Sequence, residues 1–170
     1  MIIRFDKNQP EHVKLLLSLY YDPTAAEFFR RAPRDLPASS LVEFETMFGV
    51  SLFVLIEKTL GNVGLAILSD VNHFGRNCQA GFVLKEEFRD HHYFKPLFYE
   101  FLDFIFESTA MEKVSMTILQ RRQDLSAALK EHGFKLEAVL QDNIFFQGEW
   151  HTEYAYAVLR KNYAETKGAK

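Results

Sequence analysis

A single cysteine, Cys78, in 170 residues leaves neither an intramolecular disulfide nor a cysteine-based zinc cluster available, and it points to a reducing compartment, the cytoplasm. Positive charge is not in excess either. Twenty Lys and Arg stand against 23 Asp and Glu, a formal net charge of −3 with a pI near 6.1. Such a chain has no global positive field to hold a phosphate backbone, so nucleic acid is not expected as a partner. No apolar run approaches the roughly 18 residues a membrane-spanning helix needs, and Met1-Ile2-Ile3-Arg4-Phe5-Asp6 is no basic leader, so neither membrane insertion nor export is expected. Walker-type loops, a serine elbow and a dinucleotide fingerprint are all missing. Repeats, low-complexity tracts and composition shifts are missing too, which predicts one domain over residues 1–163 and a flexible polar tail over 164–170.

What the chain does have is aromatic bulk: 17 Phe, 7 Tyr and 1 Trp, within a composition that is 48% hydrophobic and 25% charged. That balance belongs to an ordered globular protein, and the rings serve either as core filler or as the lining of an interface. A short apolar run at Ile2–Phe5 predicts a first strand. From Glu11, Val13, Leu16, Leu17 and Tyr20 recur at helical spacing. Three prolines between Asp22 and Pro37 break the chain into a helical excursion, and a further helix carrying Leu41, Phe44, Met47 and Phe48, capped by Ser39 or Ser40, stops near Gly49. Ser51–Glu57 and Val63–Leu68 then read as a hairpin turning at Gly61, with a third strand at Cys78–Leu84 after a loop. Phe94, Leu97, Phe98, Phe101, Leu102, Ile105 and Phe106 mark one face of a long helix with Pro96 in its first turn. Lys113–Leu119 is a strand and Leu125–His132 a short helix with Asp124 as cap and Gly133 as stop. Strands at Phe134–Leu140, Ile144–Phe146 and Glu153–Leu159 close the chain. The fold class is α/β (α+β): a mixed, mostly antiparallel sheet of six to seven strands with helices on both faces.

This order of elements resembles the GCN5-related N-acetyltransferase (GNAT) superfamily. Gly81-Phe82-Val83-Leu84, a short loop and Arg89 at the mouth of the long helix resemble the segment that holds acetyl-coenzyme A in that family. Leu129-Lys130-Glu131-His132-Gly133-Phe134 resembles its short helix ending in Leu-x-x-x-Gly-Phe. Gly148-x-Trp150 with Tyr156-Ala157-Val158-Leu159-Arg160 resembles the closing strands of the branch that acetylates ribosomal-protein N-termini. The resemblance covers residues 50 to 163 and implies transfer of an acetyl group from acetyl-CoA to a primary amine: a protein N-terminus, a side chain or a small molecule. It places the cofactor on Phe82, Val83, Leu84, Arg89, Asp90, His91, His92, Tyr93 and Phe94, with the pantetheine arm lying along a strand edge and the diphosphate on free amides at a helix N-terminus.

The loop departs from the family's small-residue pattern, since His92 and Phe94 stand at the two small positions and Asp90 adds a negative charge. Arg89, His91, His92 and Lys95 are the groups that could pair with phosphates in compensation. Catalytic residues are unassigned: Leu125 and Leu129 stand where relatives carry a proton donor, and the third strand has no carboxylate. That leaves Asp70, His73, Glu86 or a bound water as the base, Cys78 as the one thiol, Glu153 beside the position where relatives carry a carboxylate, and Tyr154 or Tyr156 within reach of a cleft. Arg121-Arg122 is a candidate for a 3′-phosphate. His91-His92 with Asp90 lacks a third metal ligand at sensible spacing, so no metal is expected. The alternative to an enzyme is a catalytically inactive binding or assembly module, homo-oligomeric or built into a protein complex.

Overall fold

The computed structural model describes residues 1–33, 35–89 and 91–168, with the backbone alone at His91. Seven strands hydrogen-bond in the order β1-β2-β3-β4-β5-β7-β6. They are β1 (Ile2–Arg4), β2 (Ser51–Glu57), β3 (Gly61–Asn72), β4 (Asn77–Leu84), β5 (Lys113–Leu119), β6 (Lys135–Phe146) and β7 (Glu149–Leu159). The α-helices are α1 (Pro10–Tyr21), α2 (Ala38–Leu41), α3 (Phe44–Phe48), α4 (His91–Ser108), α5 (Gln123–Glu131) and α6 (Arg160–Gly168). The pairings β1/β2, β2/β3, β5/β7 and β6/β7 are antiparallel; β4/β5 is parallel. Among the described residues no helix is long and apolar enough to cross a membrane.

The chain forms two compact units, Met1–Asp70 with Gly81–Phe104, and Val71–Ala80 with Ile105–Lys170. In the first, Leu52–Leu55 of β2 and Val63–Ala66 of β3 are buried almost without alternation, so this hairpin is covered on both faces. Helix α1 packs its His12, Leu15, Leu16, Leu19 and Tyr20 side inward. Of the expected stripe Leu16 and Tyr20 are buried, while Val13 and Leu17 are half-buried. His12 joins the inward side as a satisfied polar group, its Nδ1 accepting the Asp6 amide at 3.0 Å. The segment after α1 breaks as expected, with a 3-10 turn at Pro23–Ala25. The next helix is split into α2 and α3, and α2 follows Pro37 with no side-chain cap from Ser39 or Ser40.

Two expectations for α4 and α5 need correction. Helix α4 starts at His91, three residues before its apolar stripe, so Pro96 sits inside the helix and removes the amide that would have bonded the His92 carbonyl. In α5 the cap position is Arg122, and Asp124 lies within the first turn, where it pairs with Arg122 at 2.7 Å.

In the second unit β6 is one strand rather than two. It carries an extra residue between Leu136 and Ala138 and a looped-out segment between Leu140 and Ile144, with Asp142 at φ 44°. Residues 160–168 are helical, and this helix takes in the first five residues of the tail expected over 164–170. Arg160 opens α6 and closes the end of α4: its guanidinium donates to the carbonyls of Phe106, Thr109 and Met111, and its charge sits 5.4 Å from the Phe106 ring centroid.

Candidate functional site

The carboxyl half of β4 leads, within the first unit, to the start of α4. β4 is bonded to β5 only at Asn77↔Lys113, Cys78↔Val114 and Gln79↔Ser115. Gly81–Leu84 lie beyond that ladder, so on the side away from β3 their backbone groups have no ladder partner in it. Both glycines near this strand are there for close approach. A Cβ on Gly64 of β3 would stand 2.3 Å from the Val83 carbonyl oxygen, and one on Gly81 would stand 2.4 Å from Ile67 and 3.1 Å from the Phe28 ring.

The side chains of the predicted cofactor segment mostly pack inward. Val83 and Leu84 are buried, and the Phe82 ring meets Phe94, Phe98 and Phe101 at centroid distances of 5.4, 5.5 and 6.0 Å. Phe94 stacks on Phe98 at 5.5 Å, so its ring is drawn along the helix into this cluster. His92 is exposed and meets Tyr93 edge-on at 5.0 Å, while Tyr93 meets Phe88 at 5.3 Å. Of the predicted site, Asp90 lies outside the described residues, as does the His91 side chain. The first-turn amides of α4, those of His91, His92 and Tyr93, have no carbonyl four residues back within the helix, and the helix dipole makes that end positive.

Arg89 is not a bare cation waiting for phosphate. Its Nε donates to the Leu84 carbonyl at 2.8 Å, and its two terminal nitrogens reach Thr24 Oγ1 at 2.6 Å and Asp22 Oδ2 at 3.1 Å. It thereby fastens the turn after β4 to the segment after α1. Burial alone would raise the Asp22 carboxyl pKa. Hydrogen bonds from the Thr24 side chain and amide, together with the Arg89 charge, outweigh that and hold it below the ordinary value. A cavity of about 530 Å³ in the same unit is lined by Glu11, Asp22, Glu86 and Glu87 against Lys14 and Lys85. Four carboxylates to two ammonium groups is the wrong sign for a diphosphate, so the cavity and the α4 terminus are chemically distinct places.

The second unit holds the other candidates. Glu153 is fully buried and accepts from Asn143 Nδ2 at 2.6 Å; the looped-out stretch of β6 brings that amide over it. Tyr154 OH accepts from Gln120 at 3.0 Å. Tyr156 OH meets Ser126 Oγ at 2.5 Å, both residues buried. Ser126 is the residue sequence reasoning misses. It shares the inward face of α5 with Leu129, three residues on, and a serine on a buried helical stripe is the signal that could have found it. Cys78 is buried, which pushes its thiol up to about 11 and keeps it protonated at neutral pH. Asp70, His73 and Glu86 are exposed. Arg122 is held by Asp124, and Arg121 reaches Gln147 at 3.5 Å. Among the described residues no three His, Cys, Asp or Glu side chains converge as a metal site would require.

The architecture is that of the GNAT fold: a seven-stranded, mostly antiparallel sheet in which β4 and β5 run parallel, with a long helix entered from β4. Spermidine N-acetyltransferase from Vibrio cholerae in complex with CoA and spermine superposes with a TM-score of 0.86, at 15% identity over 96% of this chain and 97% of that one. A point mutant of the same Vibrio cholerae enzyme gives 0.84 at 15% identity over 98% and 97%, and the form in complex with manganese ions gives 0.78 at 15% over 97% and 95%. No protein-family model and no curated protein matches the sequence. At this identity the likeness is one of fold.

Proposed function

We propose that this chain is an acetyl-CoA-dependent N-acetyltransferase acting on a primary amine in the cytoplasm. The observation that carries the proposal is the end of the β4/β5 ladder at Gln79↔Ser115, which leaves the Gly81–Leu84 edge open just before the first turn of α4. A free strand edge suits the amide-rich pantetheine arm, which adds to it as another strand would. The amides of His91, His92 and Tyr93 suit the diphosphate. The bulky side chains in the loop do not contradict this fit, because Phe94 is drawn into the Phe82 cluster and His92 projects outward. Arg89 acts on the site by position, fixing the Leu84 carbonyl and the turn that follows.

Acetyl-CoA supplies an acyl group on a good leaving thiolate. The neutral amine attacks the thioester carbonyl, the C–N bond forms and the C–S bond breaks, and the proton the nitrogen loses is balanced by the one the thiolate takes up. The CoA complex of the Vibrio cholerae enzyme, with spermine bound, supports a small polyamine as one acceptor class. The closing strands' resemblance to the ribosomal-protein branch supports a peptide N-terminus as another. Calorimetric titration with acetyl-CoA, followed by a thiol-release assay with spermidine and with short peptides, tests this. Saturable binding with release of free thiol on adding one acceptor class is expected; no binding at millimolar acetyl-CoA overturns it.

A second reading rests on a specific observation: Leu129 is buried at the family's proton-donor position, and Ser126 and Tyr156 are occupied with each other. On that reading the fold binds acetyl-CoA, or a protein partner, without turnover. Binding without thiol release from any amine favours it.

A further inference from the structure

Beside Gly81, where β4 has run beyond its ladder with β5, an aromatic ring stands on the strand. Phe82 turns toward α4, so strand alternation sends Gly81 and Val83 to the opposite face of the sheet. Val83 is buried there in the core that α1 and Phe29 share. At Gly81 two neighbours close over the space a side chain would take: a Cβ would stand 2.4 Å from Ile67 Cγ2 and 3.1 Å from Phe28 Cε2. Phe28 and its neighbour Phe29 do different things. Phe29 is buried against Tyr20 and Phe44, at ring-centroid distances of 5.4 and 5.9 Å. Phe28, set edge-on to Phe29 at 4.8 Å, is half-buried and lies at the strand. Its amide closes a turn onto the Ala25 carbonyl at 3.0 Å. The chain is pinned on either side of that turn: Asp22 and Thr24 hold Arg89, and the Tyr20 hydroxyl donates to the Pro33 carbonyl. Phe28 is therefore a fixed wall rather than a loose flap.

We infer that Phe28 sets the length of the acyl group this protein accepts, admitting acetyl and excluding longer chains. This rests on the acetyl-CoA site proposed above, in which the diphosphate lies on the first turn of α4, at the carboxyl end of the open edge. The pantetheine arm then runs back along that edge toward Gly81. Its thioester comes last, beside Gly81 and the edge of the Phe28 ring. An acetyl methyl can rest against the ring, but each further methylene must push it aside. Retreat is limited by Phe29, already packed edge-on against it, and by the pins at Asp22, Thr24 and Pro33. Gly81, Ile67 and Phe28 carry no charge, so the discrimination is one of volume, which a close-packed wall enforces.

The test compares acetyl-CoA with butyryl-CoA by calorimetric titration of the wild type and of Phe28→Ala, Phe28→Leu and Phe48→Ala. The wild type should bind acetyl-CoA about tenfold or more tightly than butyryl-CoA, the scale on which a closed apolar pocket judges a methylene. Phe28→Ala should bring the two affinities within about threefold, with Phe28→Leu between. Phe48→Ala removes an equal ring from the same core, where it meets Phe44 at 4.6 Å, and should keep the wild-type ratio. A purely structural Phe28 would weaken both thioesters alike, so a ratio that neither Phe28 variant moves overturns the inference while acetyl-CoA binding stands. A wild type that takes both thioesters equally overturns it too, a readout that needs no folded variant. A wild type that binds neither overturns the acetyl-CoA site itself and this inference with it.

Discussion

The β2–β3 hairpin and the β6–β7 hairpin are written in similar residues and meet opposite fates. In the first, Leu52, Val54, Leu55, Val63, Leu65 and Ala66 have no measurable exposure. In the second, Ile144 and Phe146 are buried while Leu136, Val139, Phe145 and Trp150 stand largely open. Period-2 patterning fixes which residues share a face but not what covers that face. β2 and β3 lie inside the strand order, whereas β6 ends it. An apolar strand residue is therefore core in one hairpin and surface in the other, and stability should be distributed accordingly.

The largest expected effect sharpens this contrast. Leu65→Ala removes a side chain with no exposure and should cost roughly 2–5 kcal/mol, whereas Val139→Ala at 50% exposure should stay within about 0.5 kcal/mol. Chemical denaturation of the two variants at a concentration where both are in one assembly state checks this. Equal losses would break the comparison. Gly64→Ala comes next. Its new methyl would stand 2.3 Å from the Val83 carbonyl oxygen, a backbone atom that cannot swing aside, so β3 and β4 must shift at a cost of roughly 1–3 kcal/mol. A Gly64→Ala protein as stable as the wild type would mean that the inner hairpin is packed more loosely than its burial implies.

Much of the fold was legible because its central elements carry strong periodicity. β2, β3, β5 and the Phe94–Phe106 stripe of α4 signal themselves through uninterrupted apolar patterning. The start of α4 was not legible, because His91 and His92 contribute turns of helix without contributing to a stripe. α6 was hidden for the same reason. It is polar along nearly its whole length, and its buried contact is one residue, Tyr163, against Phe106 at 5.3 Å. The irregularities of β6 have no local signature. They are visible only against the partner strand.

The candidate site divides the same way. Its position after β4 followed from element order and from Arg89 at the helix mouth, but what Arg89 does was out of reach, since Asp22 lies 67 residues earlier and nothing in either segment announces the other. Ser126 escaped because family positions drew attention to Leu125 and Leu129, while the helix turns Ser126 to Tyr156.

The smallest effect near neutral pH, and the most selective, probes enclosure at Cys78, where β4 is still bonded to β5. Burial raises its thiol from an ordinary value of 9.0 to about 11. The sign follows from which state loses the proton first. Between these two values the unfolded chain carries a thiolate and the folded chain a thiol, so stability present below pH 9 declines as pH rises toward 11 and then levels off. Near pH 8 the native protein should scarcely react with a water-soluble disulfide reagent, while the denatured protein reacts fully. A Cys78→Ala variant should lose the decline between pH 9 and 11 that the wild type shows, leaving other groups' titrations in place. Rapid labelling of the native thiol at pH 8 would mean that this stretch of β4 opens to solvent, and the contrast between enclosed and open strands would then have to be redrawn around the β4/β5 ladder itself.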